Sequence, residues 1–408
     1  MDYRTKLDFN GQPSTVMHID INSCFASIEQ QANPLLRGKP VAVAAYDTPN
    51  GCILAPSIEA KKMGVKVGMR VKEGKLFAPD LIVLKPDANK YRDVHLKLRD
   101  LLLSYTSGVV PKSIDEFVLN FSSTPAFSRG LFSVSEEIKA RIKSEIGDNL
   151  TVSIGIAPNR FLAKTASNLH KPDGLDEINK DNFWSIYQKL TLTDLNGIDR
   201  QNSIRLNNVG IYTVHDFYLA DIRTLHSAFK SIVGYYWFLR LRGWEIDDVE
   251  WGTKSFGHSY SLPKFVSRPT ELAPILSKLV EKTGFRMRSL GFQARGVHLG
   301  LLYGNYEYFH KGITLDQPIF ASQDIYRTAY LILTRAPRLP IRNLAVSCFG
   351  LSLRSSIQLE LFSDIIKKDK LTGAIDAINK QWGNFVIAPA IMANTQNHVH
   401  DRISFGNV

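Results

Sequence analysis

Over the first 175 residues, short apolar runs alternate with segments of helical spacing. Thr15–Asp20 reads as a strand, followed by a helix from about Ala26 to Gln31 that Asn33-Pro34 and Arg37-Gly38-Lys39-Pro40 break. Val41–Ala45 and Cys52–Ala55 read as strands, and Ser57–Met63 as a helix ended by Gly64. Tyr91, Val94, Leu98, Leu101 and Tyr105 form one stripe of a helix. An apolar β-like run, Val109 to Phe121, follows, then a helix marked by Val134, Ile138, Ile142 and Ile146. Leu150–Ala157 reads as a strand, and Asn159 caps a helix that Lys171-Pro172-Asp173-Gly174 stops. This order predicts an α+β domain on a mixed or antiparallel sheet.

Residues 176–244 read as short helices and 245–254 as a polar linker. Strands return at Phe256–Leu262, Gly296–Tyr303 and Asn343–Leu351, with helices at about Thr270–Leu290 and Gln323–Thr334, a β-α-β-β-α-β pattern. The last 45 or so residues predict no particular element.

Composition narrows the class. Hydrophobic content of 44% over 408 residues is ordinary for a multidomain globular chain. The apolar runs fall far short of the ~20 residues a membrane span needs, and the N-terminus has no signal-peptide core. Cys24, Cys52 and Cys348 are scattered without metal-ligand spacing, which fits a reducing cytoplasm. The net charge is +11, and residues 251–362 hold 14 Lys/Arg against 6 Asp/Glu. A basic module of this kind suits a polyanion, most simply nucleic acid, although a merely soluble basic surface has the same composition.

Asp115 and Glu116 sit inside an apolar run, where charge is costly unless a cation binds it. Asp20 ends another such run. Three carboxylates from two neighbouring strands make an oxygen-rich site of the kind that holds Mg²⁺ with substrate phosphates; a solvated edge pair is the plainer alternative. Side chains of a regular strand alternate faces, so Asp115 and Glu116 can serve one site only through a distortion or hairpin start at Ile114–Glu116.

Longer strings sharpen this. His18-Ile19-Asp20-Ile21-Asn22-Ser23-Cys24-Phe25-Ala26-Ser27-Ile28-Glu29, Ala55 through Lys66, and Ser113 through Phe117 resemble motifs of the Y-family (translesion) DNA polymerases. So do Thr151 through Ala157 with Phe161-Leu162-Ala163-Lys164 and Lys171-Pro172-Asp173-Gly174, and Gly197-Ile198-Asp199 through Leu206, Gly210 and Ile211. Lys254-Ser255-Phe256 and Lys282–Val297 extend the resemblance over nearly the whole chain, with details leaning towards the UmuC branch.

The resemblance implies a right-hand polymerase: palm at 1–31 and 88–175, small fingers at 32–87, helix-hairpin-helix thumb at 176–244, linker at 245–254, little finger at 255–357, and a clamp-binding motif with tail at 358–408. It implies low-fidelity, template-directed synthesis past damage, with primer-template DNA and dNTP as partners and two Mg²⁺ ions as cofactors, Mn²⁺ substituting. Asp20 and Asp115 would bridge both ions, Glu116 would complete the ion nearest the primer, and the Ile21 carbonyl would add a ligand. Lys61, Lys171 and the backbone N–H groups of Ser23, Cys24 and Phe25 would hold the triphosphate, with Phe25 as steric gate. Gly197, Arg200, Arg205 and Gly210 in the thumb, and Arg286 and Arg295 in the little finger, would meet DNA. Gln358, Leu359, Leu361 and Phe362 resemble a bacterial sliding-clamp-binding peptide, or else form a final strand. UmuD-like regulatory subunits, and a cytoplasmic protein that joins the nucleoid when acting, belong to the same expectation. A non-catalytic adaptor that recruits other subunits is the alternative, which the intact acids argue against; a palm-type cyclase is a third. Ile58 and Ala55 stand where relatives carry hydroxyls, Lys61 replaces an Arg, and Asp199 replaces the second Gly of the hairpin, a position expected to want a left-handed backbone.

Overall fold

The computed structural model describes residues 7–249, 252–354, 365–396 and 398–399; the peptide 358–362 lies outside the described residues. The described residues divide into two compact units, one within 7–249 and the other within 252–399.

The first unit carries strands β1 (Val16–Ile21), β2 (Val41–Ala44), β3 (Ile53–Pro56), β4 (Ile82–Leu84), β5 (Gly108–Pro111), β6 (Glu116–Asn120), β7 (Val152–Ala157) and β8 (Leu175–Glu177). Five of them form a mixed sheet in the order β5-β6-β1-β7-β8, antiparallel except for the β7–β8 pair. All six residues of β1, the central strand, are buried. Helices Ala88–Leu103 and Leu131–Arg141 bury Tyr91, Leu98, Leu102, Val134 and Ile138 in the same core as Met17, Ile19, Phe117 and Leu119. On the opposite face, helix Arg160–Ser167 shares a cluster with Val16, Val118 and Ala157. It comes so close to β7 that a Cβ at Gly155 would stand 2.0 Å from the Ala163 carbonyl oxygen. Glycine is required there for proximity.

Strands β3-β2-β4 make a separate small sheet. Residues 183–240 are short helices around Tyr187, Leu206, Phe217, Leu225 and Trp237. Their turns account for the glycines: Gly197 has φ 96° and Gly210 φ 82°. The expectation for Asp199 fails. Its backbone is extended at φ −82°, and its side chain caps helix Arg200–Asn207 by accepting from the Asn202 N–H at 2.7 Å. A carboxylate is a favoured residue at such a cap, so no left-handed strain arises. Residues 245–249 are also less linker-like than expected, since Arg240 pairs with Asp247 and Arg160 with Asp248.

The second unit is the β-α-β-β-α-β arrangement. Strands β9 (Ser255–Val266), β10 (Phe292–Tyr303), β11 (Tyr308–Ile319) and β12 (Ile341–Leu353) pair antiparallel in the order β11-β10-β12-β9. Helices Pro269–Ser289 and Ser322–Arg335 share its core, where Leu272, Leu276, Ile325 and Ile332 meet Val297, Leu299, Leu344 and Val346. A further helix, Ile365–Trp382, is tied on by polar contacts. Asp376 takes both arms of the buried Arg288 guanidinium at 2.7 and 2.8 Å, and Lys368 pairs with Asp324 at 2.8 Å. No helix among the described residues is long and apolar enough to cross a membrane.

Candidate active site

The apolar run 109–121 is two strands. β5 and β6 pair as a hairpin, and residues 112–115 make its turn, with the N–H groups of Lys112 and Ser113 both donating to the Glu116 carbonyl. Asp115 therefore lies in the turn and Glu116 opens β6, so the parity of one regular strand does not apply. Three contacts hold the turn. The Ile114 side chain is buried, the Ile114 carbonyl lies 2.9 Å from His95 Nδ1, and the Asp115 carbonyl accepts from the Ile21 N–H at 3.0 Å.

Asp20 and Glu116 are directly opposite across β1 and β6. Facing like charges destabilise a sheet. Each carboxylate here has its own lysine: Lys171 Nζ donates to Asp20 Oδ2 at 2.6 Å, and Lys164 Nζ donates to Glu116 Oε2 at 2.5 Å. Burial lifts the Asp20 carboxyl to about 6, with Lys171 opposing and the Glu116 and Asp115 charges reinforcing. Burial also pushes Glu116 up, but the Lys164 hydrogen bond and charge, with His18 and Lys171, hold it below its ordinary value. His18, two residues before Asp20 and on the same face, places Nε2 3.7 Å from Glu116 Oε2. Neither of its buried ring nitrogens makes a hydrogen bond, and burial lowers its pKa to about 3, keeping the imidazole neutral.

Ligand atoms of His18, Asp20 and Glu116 all lie within 4.8 Å of one another. The two carboxylates suit a hard divalent cation, whereas the neutral His18 imidazole is a donor for softer cations. Asp115 stands apart from that trio, its carboxylate accepting from Ser113 Oγ at 2.5 Å. It instead joins Asp20 in lining an adjacent cavity of about 500 Å³, together with Ile21, Ser23, Cys24, Phe25, Lys61 and Lys171. Here Ser23 adopts a left-handed φ of 51°, preceding helix Cys24–Ala32, and its buried Oγ makes no hydrogen bond. The Phe25 ring is stacked on Tyr91 at 4.5 Å. Leu54, Ala55, Ile58 and Val67 form an apolar wall. Lys61 is held below its ordinary pKa by desolvation first and by the Lys171 charge second. Burial keeps the Cys24 thiol protonated.

Glu116 opens on a second space, a groove of about 700 Å³ shared with His18, Lys112, Lys164, Gly197 and Arg205. Arg200 and Gly210 do not line it. Arg286 and Arg295 belong to the second unit, where Arg295 donates to the Asp316 carbonyl. Nothing in the linear sequence assigns a role to His18 or Lys164. His18 reads as one more residue of an apolar strand; Lys164 lies inside a quoted motif, but only the folded helix brings it to Glu116.

A mixed sheet that sets carboxylates of two antiparallel strands beside a lysine-lined cavity has the arrangement that a palm-type nucleotidyl-transfer protein needs. Comparison with known proteins narrows this. Residues 19–168 match the impB/mucB/samB family and residues 253–361 match that family's C-terminal domain. DNA polymerase IV 1 of Bacillus subtilis is 32% identical over 387 residues, spanning 92% of each chain. DNA polymerase IV of Pelotomaculum thermopropionicum is 29% identical, spanning 95% of this chain and 97% of its own. A solved Y-family DNA polymerase chimera of Dbh and Dpo4 shares the fold at 23% identity and TM-score 0.73, over 83% of this chain and 99% of its own. The chain belongs to the impB/mucB/samB family of Y-family translesion DNA polymerases. These relatives are named DNA polymerase IV and are DinB-like, so the lean towards the UmuC branch is not upheld.

Proposed function

We propose that this chain is a DNA-directed DNA polymerase that extends a primer 3′-end across damaged template by nucleotidyl transfer from a dNTP. The observation that carries this reading is the facing pair Asp20 and Glu116, with Asp20 lining a lysine-lined cavity and Glu116 lining a groove. The triphosphate belongs in the cavity and the primer end in the groove.

Asp20, Asp115 and Glu116, with the Ile21 carbonyl, would hold two Mg²⁺ ions, for which Mn²⁺ can stand in. When bound, the ions lower the pKa of the attacking hydroxyl and neutralise charge on the leaving oxygens. Lys61 and Lys171 supply cationic contacts to the triphosphate. The N–H groups of Ser23, Cys24 and Phe25, at a helix start, supply donors. Phe25 excludes a 2′-hydroxyl. The apolar wall of Leu54, Ile58 and Val67 offers few polar checks on the base pair, which suits low fidelity. Arg200, Arg205, Arg286 and Arg295, with the turns at Gly197 and Gly210, contact the duplex backbone.

Palm, fingers, thumb and little finger follow the divisions given by the sequence. The peptide Gln358-Leu359-Glu360-Leu361-Phe362 engages a sliding clamp, and its deletion should abolish clamp-stimulated synthesis while sparing basal extension. UmuD-like regulators and nucleoid association in a bacterial cytoplasm complete the reading. No observation favours the non-catalytic adaptor, because all three acids are present.

Primer extension by purified protein on an abasic template tests the proposal. Wild type should extend only with a divalent cation, and Asp115→Asn should not extend. Absence of cation-dependent extension by wild type would overturn it.

A further inference from the structure

The two lysines of the carboxylate pair divide the site. Lys171 holds Asp20 and lines the cavity; Lys164 holds Glu116 and lines the groove. Helix Arg160–Ser167 fixes Lys164 there, since its Phe161, Leu162, Ala163 and Ala166 are buried and Gly155 lets it sit close on β7. Two of the groove's four other cations are paired with other carboxylates. Arg240 pairs with Asp247 and Arg160 with Asp248, whereas Lys164 pairs with the carboxylate that a divalent cation would claim. An ammonium and a divalent cation compete for Glu116. When the cation wins, Lys164 is left with a positive charge, roughly a quarter exposed, in a groove with Lys112 and Arg205 close by.

We infer that Lys164 is a phosphodiester-binding residue: it neutralises Glu116 in the metal-free protein and transfers to a backbone phosphate of the primer strand once the divalent cation occupies the carboxylates. This rests on the polymerase reading above. The exchange couples two binding events, because metal loading frees the ammonium and a phosphate then holds it away from Glu116. One hydrogen-bonded cation–phosphate contact at a partly enclosed site is worth about tenfold in affinity.

The test separates metal binding from DNA binding and needs no turnover. Mn²⁺ binding without DNA is followed by electron paramagnetic resonance, and primer–template binding by fluorescence anisotropy in EDTA and in Ca²⁺. The proteins are wild type, Lys164→Met and Lys164→Arg. Lys164→Met should bind Mn²⁺ several-fold more tightly than wild type, because its competitor is gone. In EDTA its DNA affinity should fall only slightly, through the Glu116 charge left unneutralised in the groove. In Ca²⁺ it should bind DNA about tenfold more weakly, with a salt slope lower by about one contact. Lys164→Arg should keep the Ca²⁺-dependent gain. Unchanged Mn²⁺ and DNA affinities in Lys164→Met would overturn the inference, as would an equal loss of DNA affinity in EDTA and in Ca²⁺. If Lys164→Met unfolds, Lys164→Arg decides alone, and loss of its Ca²⁺-dependent gain counts against the inference. Failure of wild type to bind primer–template or Mn²⁺ would instead strike the polymerase reading.

Discussion

The two main sheets obey the same rule of alternation and put it to opposite uses. In β12, buried Leu344, Val346 and Cys348 alternate with more exposed neighbours, as a sheet with one covered face requires. In β1 all six residues are buried, His18 and Asp20 among them, with Glu116 directly across from Asp20. The first pattern is what stability alone selects. The second leaves a carboxylate at a raised pKa and an imidazole without a hydrogen bond inside a core, costs that a purely structural strand would not carry. Departure from the pattern, more than charge itself, marks the site.

The sharpest way to break that comparison is Asp20→Asn. Primer extension in single turnover should fall by at least about 10³-fold, roughly 4 kcal/mol in the barrier. The melting temperature in EDTA should not fall. A large drop in melting temperature would make Asp20 a residue of the fold, like those of β12.

Leu299→Ala should do the reverse. This side chain is fully buried beneath β10, and its truncation should cost about 3 kcal/mol of stability in urea denaturation. The chemical step at saturating primer–template should stay as it was, and a changed rate would tie the second sheet to catalysis. Phe25→Ala separates packing from selection within the cavity. Discrimination against ribonucleotides should drop by about 30-fold, roughly 2 kcal/mol, measured as the ratio of kcat/KM for dNTP over rNTP. Unchanged discrimination would return Phe25 to the core with Tyr91.

The smallest effect is at Glu281, in the second unit. Burial raises its carboxyl above the ordinary range, with Ser322 and Arg288 opposing. The folded protein therefore binds this proton more readily than the unfolded chain, so the ionised form costs stability at neutral pH. That cost fades as the pH falls through the raised folded pKa. Glu281→Gln should stabilise by less than about 1 kcal/mol at pH 8 and by nothing near pH 4, read from melting temperatures across that range. A constant gain would show that packing, and not ionisation, is responsible.

The α+β character of the first unit and the β-α-β-β-α-β order of the second could be read in advance, because long periodic segments such as 88–105 and 270–290 leave little choice. The conflict between Asp115 and Glu116 was also legible: two adjacent acids on one site demand a bend, and the hairpin turn at 112–115 supplies it. The separation of Asp115 from the closest ligand trio was not, because it depends on Ser113 capturing its carboxylate. His18 and Lys164 were missed for a related reason, since cross-strand register and the height of a helix above a sheet have no signature in linear order. Helix Ile365–Trp382 escaped because it is tied down by Arg288 and Asp324 and buries no residue of its own.

The turn at 112–115 has one more consequence. It is pinned at the Ile114 side chain, at His95 and at Ile21, so its length works as a ruler between the core and the reacting phosphate. Adding or removing one residue would leave β5 and β6 free to pair and disturb no core side chain but Ile114, while carrying Asp115 off its mark. Such indels should therefore show in primer extension long before they show in stability, and of the four turn residues Lys112 alone has neither a buried side chain nor a contact to Asp115, so it should tolerate substitution best.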